Sequence, residues 1–211
     1  AEIIAAANKL KVIGRAGIGV DNIDIKAATD KGIVVMNTPF GNAITTAEHA
    51  IAMLFSAARQ IPSASMRTQN GEWPKSEFKG VELFNKTLGL IGCGNIGALV
   101  AERALGLRMK VIAFDPFVSE ERARAMNIEL AELNDLVKRS DFITVHLPKN
   151  KDTVNLFDAK MLATAKPSLR IINVARGGII NEADLAEAVK NGVIAGAALD
   201  VFDKEPTTES P

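Results

Sequence analysis

The first residues arranged to do chemistry are in Thr87–Gly97, TLGLIGCGNIG. Gly92, Gly94 and Gly97 are spaced G-x-G-x-x-G, behind the apolar run Leu88–Ile91 and ahead of helix-forming residues from Ala98 to Leu105. Set between a strand and a helix, the spacing has a physical meaning. Gly92 lets the backbone turn sharply, the missing side chain at Gly94 lets a pyrophosphate approach the main chain, and Gly97 lets the helix pack closely on the strand. The free N–H groups and the dipole at the helix start favour phosphate charge. A second strand, Lys110–Phe114, leads into Asp115, 18 residues after Gly97. A carboxylate there can accept hydrogen bonds from an adenosine ribose and repel a 2′-phosphate, which predicts NAD rather than NADP. The competing reading of Asp115 is a turn residue ahead of Pro116.

Other strand ends carry further candidates. His146 closes FITVH and could contact a cofactor or brace the loop before Pro148. Arg176 sits in NVARGG, between a buried strand and two glycines, where rigid backbone delivers its guanidinium to the cofactor rim. Asp200 and Glu205 follow AGAALDVF, and Pro206 forbids a helix running on from Glu205.

The elements that must position these residues alternate from Thr87 onward. Strands are predicted at 88–91, 110–114, 142–146, 169–174 and 194–199. Helices are predicted at 95–105, 120–126 (capped by Ser119), 131–138, 158–164 and 182–190. Such alternation implies a parallel sheet with right-handed crossovers and ligands beyond the carboxyl ends of the strands. Upstream, Ala1–Leu10 reads as a helix, Lys11–Gly14 as a strand and Arg15–Asp24 as a polar loop. Ile25–Lys31 reads as a helix capped by Asp24 and closed by Gly32, and Ile33–Met36 as a buried strand. Thr45 or Thr46 should cap a long helix reaching about Ile61, with Glu48 completing a capping box from Thr45. Apolar residues nearly surround that helix, predicting deep burial, with His49 packed and Met53 and Phe55 in the core. Pro62–Gly80 reads as polar and irregular; its Trp73 is either an interface anchor or a local lid.

Composition bounds the class. The chain has 211 residues, 47% hydrophobic and 24% charged, enough for one full domain with part of a second. Basic and acidic residues both number 25, so no charge excess draws it to nucleic acid or an anionic membrane. The lone cysteine, Cys93, reads as a small filler in the glycine turn; no internal disulfide can form, which fits a reducing, cytoplasmic compartment. No run of about 18 apolar residues marks a membrane span, and no signal peptide is evident. The ends look cut: a helix-like start lacks an initiator Met, and TTESP closes the chain just after a candidate active-site segment, so a fragment is expected.

The segments GRAGIGVDNID, TAEHAIAMLFSAARQIP, LGLIGCGNIG, INVARGGIINEADL and AALDVFDKEP together resemble the D-2-hydroxyacid dehydrogenases over nearly the whole chain. Within that family the likeness is greatest to the enzymes acting on 3-phosphoglycerate, at the entry to serine biosynthesis. The resemblance implies an α/β chain: a Rossmann-type doubly wound parallel sheet as the cofactor domain, with a remnant of a flavodoxin-like substrate domain. Residues 1–40 would be the C-terminal part of the first substrate-domain segment and 41–211 the NAD-binding domain. It implies a homodimer through the cofactor domain, with the Trp73 excursion crossing to the partner. By resemblance Arg176 grips the substrate carboxylate and Glu205 pairs with a catalytic histidine, which the family carries in a P-H-x-G-type segment downstream; neither His49 nor His146 matches it. The implied cofactor contacts are Gly92, Gly94, Asn95, Ile96 and Gly97 at the phosphates and Asp115 at the ribose. Leu147, Pro148 and Thr153 match the adenine side, and Val174, Ala175, Arg176 and Asp200 the nicotinamide side. Arg15, Gly17, Ile18 and Gly19 match the substrate loop, Arg15 as a phosphate ligand. No metal is implied. Other expectations left open are a glyoxylate or hydroxypyruvate reductase, and an NAD-sensing binding protein like the C-terminal-binding-protein corepressors.

Overall fold

The computed structural model describes residues 1–207; Thr208–Pro211, expected to end the second domain, lie outside the described residues. The chain separates into two compact units, one of residues 1–45 and one from Thr46 onward.

The first unit contains α1 (Glu2–Ala6), β1 (Val12–Arg15), α2 (Ile25–Asp30) and β2 (Val34–Asn37). Asp24 caps α2 by accepting from the Ala27 N–H at 2.9 Å, and Gly32 takes φ +67° just beyond it, as expected. α1 is shorter than the predicted helix to Leu10: the Asn8 N–H turns back to the Ala6 carbonyl, and the chain leaves the helix. β1 and β2 pair in parallel, Val12 opposite Val34. The expectation that β2 is buried holds for one face only. Ile33 is buried and Val35 partly so, beside Ile4 and Ala28 of the helices, while Val34 and Met36 are more than half exposed. Successive strand residues point to opposite sides, and the two helices cover one of them.

The second unit takes most of α3 (Ala43–Arg59), followed by α4 (Ile61–Gln69). α3 starts two residues before the expected caps, which puts Thr45 and Thr46 inside its first turn; Glu48 pairs with Arg103 at 3.3 Å instead of closing a capping box. It buries a single stripe, Ala47, Ala50, Leu54 and Ala58, and leaves Ile44 58% and Phe55 38% exposed, with Met53 only partly covered. His49 is likewise exposed. The helix is therefore not surrounded: alanines let one face approach the sheet closely, and alanines on the other face carry little apolar area to bury. α4 replaces the irregular segment expected at Pro62. Pro62 falls in its first turn, where a missing N–H costs nothing, and Gln60 in the left-handed region separates it from α3. Arg67 pairs with both Glu72 and Glu77, folding the next turn back on α4. Trp73 is 81% exposed and covers nothing, so it is no lid.

The remainder is a regular alternation: β3 (Thr87–Ile91), α5 (Asn95–Gly106), β4 (Lys110–Phe114), α6 (Glu120–Ala125), β5 (Glu129–Leu130), α7 (Leu133–Arg139), β6 (Phe142–Val145), α8 (Ala159–Leu162), β7 (Arg170–Asn173), α9 (Glu182–Lys190) and β8 (Gly196–Leu199). All six strands pair in parallel in the order β5-β4-β3-β6-β7-β8. The chain runs outward from β3 to β5, then returns to place β6 on the other side of β3. That reversal is a topological switch point, where such sheets leave a crevice. One face packs Leu88, Leu90, Phe142 and Ile172 against α3 and α5; the other packs Ile91, Ile143, Val145 and Ile171 against Leu136, Val137 and Leu185 of the helices opposite. Among the described residues no helix is long and apolar enough to cross a membrane.

Candidate active site at the carboxyl edge of the sheet

The loops that leave the carboxyl ends of β3, β4, β6, β7 and β8 carry the candidate residues of the second unit. After β3, Gly92 adopts φ +91°, in the left-handed region that favours glycine; a Cβ there would lie 2.7 Å from the His146 carbonyl oxygen. Gly97 is pressed still harder, with a Cβ 2.1 Å from the Gly92 carbonyl oxygen, so the first turn of α5 rests on the turn before it. Gly94 is different. It is the N-cap of α5, and a Cβ built on it meets nothing within 4 Å. The space beside Gly94 is open, and the first amides of the 12-residue α5, Asn95, Ile96 and Gly97, have no acceptor within the helix. A backbone-lined opening at a helix start fits a pyrophosphate.

Asp115 lies at the end of β4, beside this turn. Its carboxylate accepts from the Cys93 N–H at 2.7 Å and from the Phe117 N–H at 2.8 Å. It therefore braces the glycine turn and its own turn, and an ionised carboxylate with about four acceptor sites retains capacity for ribose hydroxyls. Cys93 is buried, and burial, followed by the Asp115 charge, pushes its thiol pKa up, as suits an inert filler.

After β6, the His146 N–H donates to the Ile91 carbonyl at 2.7 Å, which clamps the strand end to the glycine turn. Its Nε2 lies 3.0 Å from Thr144 Oγ1, while Nδ1 is buried and has no hydrogen-bond partner. Burial alone pushes the imidazole pKa down to about 4. The loop through Leu147 and Pro148 closes on itself: Thr153 Oγ1 donates to the Pro148 carbonyl at 2.7 Å and accepts from the Asn150 N–H at 2.8 Å.

After β7, Asn173 organises the turn that holds Val174, Ala175 and Arg176. It is 2% exposed; its Oδ1 accepts from the Ala175 N–H at 3.0 Å and its Nδ2 donates to the Arg176 carbonyl at 2.9 Å. A Cβ on Gly177 would lie 1.8 Å from the Phe202 carbonyl oxygen, so the turn carrying Arg176 is locked against the segment after β8. In that segment the Asp200 N–H donates to the Asn173 carbonyl at 3.0 Å, and the Phe202 N–H donates to Glu205 Oε1 at 2.8 Å. Arg176 and Glu205 thus arrive on two loops packed backbone to backbone. Lys149 Nζ adds a 2.6 Å bond from the β6 loop to Asp203 Oδ1. Chemically, the edge offers an anion cradle, a carboxylate beside it, a guanidinium able to grip a carboxylate, and a carboxylate able to tune a base.

Residues 51–211 match the D-isomer specific 2-hydroxyacid dehydrogenase family through its NAD-binding domain. The chain belongs to this family. Among its D-2-hydroxyacid dehydrogenase relatives, the D-3-phosphoglycerate dehydrogenase of Archaeoglobus fulgidus is 52% identical over 206 residues, 98% of this chain and 39% of the relative. The chain thus spans about two fifths of the length of that curated relative. A glyoxylate reductase structure from Paecilomyes thermophila superposes with a TM-score of 0.91 at 34% identity, covering 99% of this chain and 63% of that one. The D-lactate dehydrogenase of Aquifex aeolicus, solved with NAD and lactic acid, superposes with a TM-score of 0.88 at 31% identity, covering 97% and 61%. The Rossmann-type fold and the NAD cofactor expected from the sequence are those of the family.

The residues expected to form the substrate loop, Arg15, Gly17, Ile18 and Gly19, lie in the first unit. Arg15 ends β1; its guanidinium carbon lies 3.4 Å from where a Gly17 Cβ would stand, and the loop is fixed by the Thr38 N–H donating to the Gly17 carbonyl and by Asn37 Nδ2 donating to the Ile18 carbonyl. Gly19 is half-buried in the same loop. Two further polar residues of the second unit stand at this edge. In the sequence Asn173 reads as part of an apolar strand, although a polar side chain at the last strand position is itself a signal. His49 was expected to be packed; it is exposed, with Nε2 3.2 Å from Asp200 Oδ1. Its partner lies 151 positions away, beyond any local pattern.

Proposed function

We propose that this chain holds the dinucleotide site and two of the catalytic residues of an NAD-dependent oxidoreductase that converts 3-phospho-D-glycerate to 3-phosphooxypyruvate, in serine biosynthesis. The observation that carries the reading is the open Gly94 cradle on the same sheet edge as the interlocked Arg176 and Glu205 loops. The first amides of α5 hold the pyrophosphate, Asp115 the adenosine ribose, Leu147, Pro148 and Thr153 the adenine side, and Val174, Ala175 and Asp200 the nicotinamide side. The nicotinamide, when bound, accepts the hydride. Arg176 orients the substrate carboxylate through its planar fork, and Glu205 raises the basicity of the histidine that takes the hydroxyl proton. Residues 1–40 belong to the substrate domain, where the amides of Gly17, Ile18 and Gly19 meet the carboxylate and Arg15 meets the phosphate. The whole enzyme works in the cytoplasm as a homodimer through the face that carries α4 and Trp73.

The substrate assignment leans on the names of the relatives and on Arg15. Arg15→Ala in the full-length enzyme should raise KM for 3-phosphoglycerate about ten- to a hundredfold, the worth of a charge-assisted hydrogen bond of roughly 1.5–3 kcal/mol, and leave an unphosphorylated 2-hydroxy acid nearly untouched. Equal losses on both substrates would reassign Arg15 to structure and favour a reductase of smaller acids.

A further inference from the structure

We propose that His49 is a positioning residue that fixes the Asp200 carboxylate for the nicotinamide end of the dinucleotide. This rests on the dinucleotide reading above. His49 Nε2 lies 3.2 Å from Asp200 Oδ1, within ion-pair distance, and because an ionised carboxylate only accepts, any proton between them is the imidazole's to donate. The donor is rigidly mounted. Its neighbours on α3, Ala47 and Ala50, are 0% and 1% exposed and tie this turn of the helix to the sheet. The acceptor's backbone is fixed too, by the bond from the Asp200 N–H to the Asn173 carbonyl at 3.0 Å. Its side chain is half exposed, however, and would otherwise be free to sample its rotamers. His49 occupies Oδ1 and leaves Oδ2 to accept from an amide N–H such as the nicotinamide carboxamide.

A contact between two half-exposed side chains adds little to stability. If this pair matters, it matters through where it holds Asp200. That separates it from a structural bond and sets the test. The chain and its His49→Ala and His49→Gln variants are titrated calorimetrically with NADH and with ADP-ribose, which lacks the nicotinamide. Releasing Asp200 among about three side-chain wells weakens NADH about three- to tenfold in His49→Ala, with ADP-ribose affinity and melting temperature unchanged. His49→Gln, whose amide N–H reaches about as far, restores NADH binding. Equal loss of both ligands, no loss of NADH, or failure of glutamine to restore it would overturn the role of His49. Absence of ADP-ribose binding by the unmutated chain would instead overturn the dinucleotide reading on which it rests.

Discussion

A methyl group added at Gly97 would sit 2.1 Å from the Gly92 carbonyl oxygen, whereas one added at Gly94 would meet nothing within 4 Å. The two glycines divide as their places in the motif predict, Gly97 to packing and Gly94 to access. Asp115 divides differently. The two readings open to it, turn residue and ribose acceptor, are compatible, because its bonds to the Cys93 and Phe117 amides leave acceptor sites over. His146 is the side chain whose environment is least readable from sequence, since its burial depends on what covers the strand end. Held neutral in the fold with a pKa near 4, against about 6.5 unfolded, it makes the unfolded chain the better proton binder between those values. Its contribution is therefore complete above pH 6.5, falls by about 1.4 kcal/mol for each unit down to about pH 4, and is flat below. Urea unfolding at pH 5 and pH 7.5 should show this loss, and His146→Leu should reduce the difference; an undiminished pH difference in the variant would place its origin elsewhere.

Elements from Thr87 onward were readable because nearly every strand is a short apolar run bounded by turns and several helices open on a capping side chain: Ser119 accepts the expected backbone N–H, and Asp158 and Asn181 cap α8 and α9 in the same way. β5 was missed because two residues, one of them Glu129, carry no periodicity. α4 was missed because its residues are mostly polar and it buries none of them, so no stripe announced it. α3 was found but misjudged, because counting alanines as apolar on every side hides the one stripe that is buried. At the end of β7, Asn173 does the work that glycines do after β3. It satisfies an amide and a carbonyl of the Val174–Arg176 turn from within the core. Asn173→Leu keeps the volume and strands both groups, so the chain should lose about 2–6 kcal/mol, at roughly 1–3 kcal/mol for each unsatisfied group. Denaturant midpoints measure it, and an unchanged midpoint would mean the turn holds its shape without Asn173.

For the molecule as a whole, the exposed apolar residues of the α4 region, Ile61, Met66 and Trp73, mark a surface suited to burial against a second copy. Light scattering at tens of micromolar should give a dimer, a range that ordinary interface affinities cover, and Trp73→Ser should shift it toward monomer. A stable monomer of the unmutated chain at that concentration would remove the proposed face. The dinucleotide site depends on none of this: Gly92 to Asp200 lie in one unit, on one continuous sheet. NADH fluorescence titration of the chain beside its Gly94→Val variant tests that site. Gly94 has φ −72° and open space at its Cβ, so valine should leave the melting temperature and circular dichroism as they are while blocking the approach of the pyrophosphate. Saturable NADH binding by the unmutated chain and none by the folded variant is the result expected. A folded unmutated chain that does not bind NADH, or a valine variant that binds it equally well, would contradict the assignment of the glycine turn as the dinucleotide cradle.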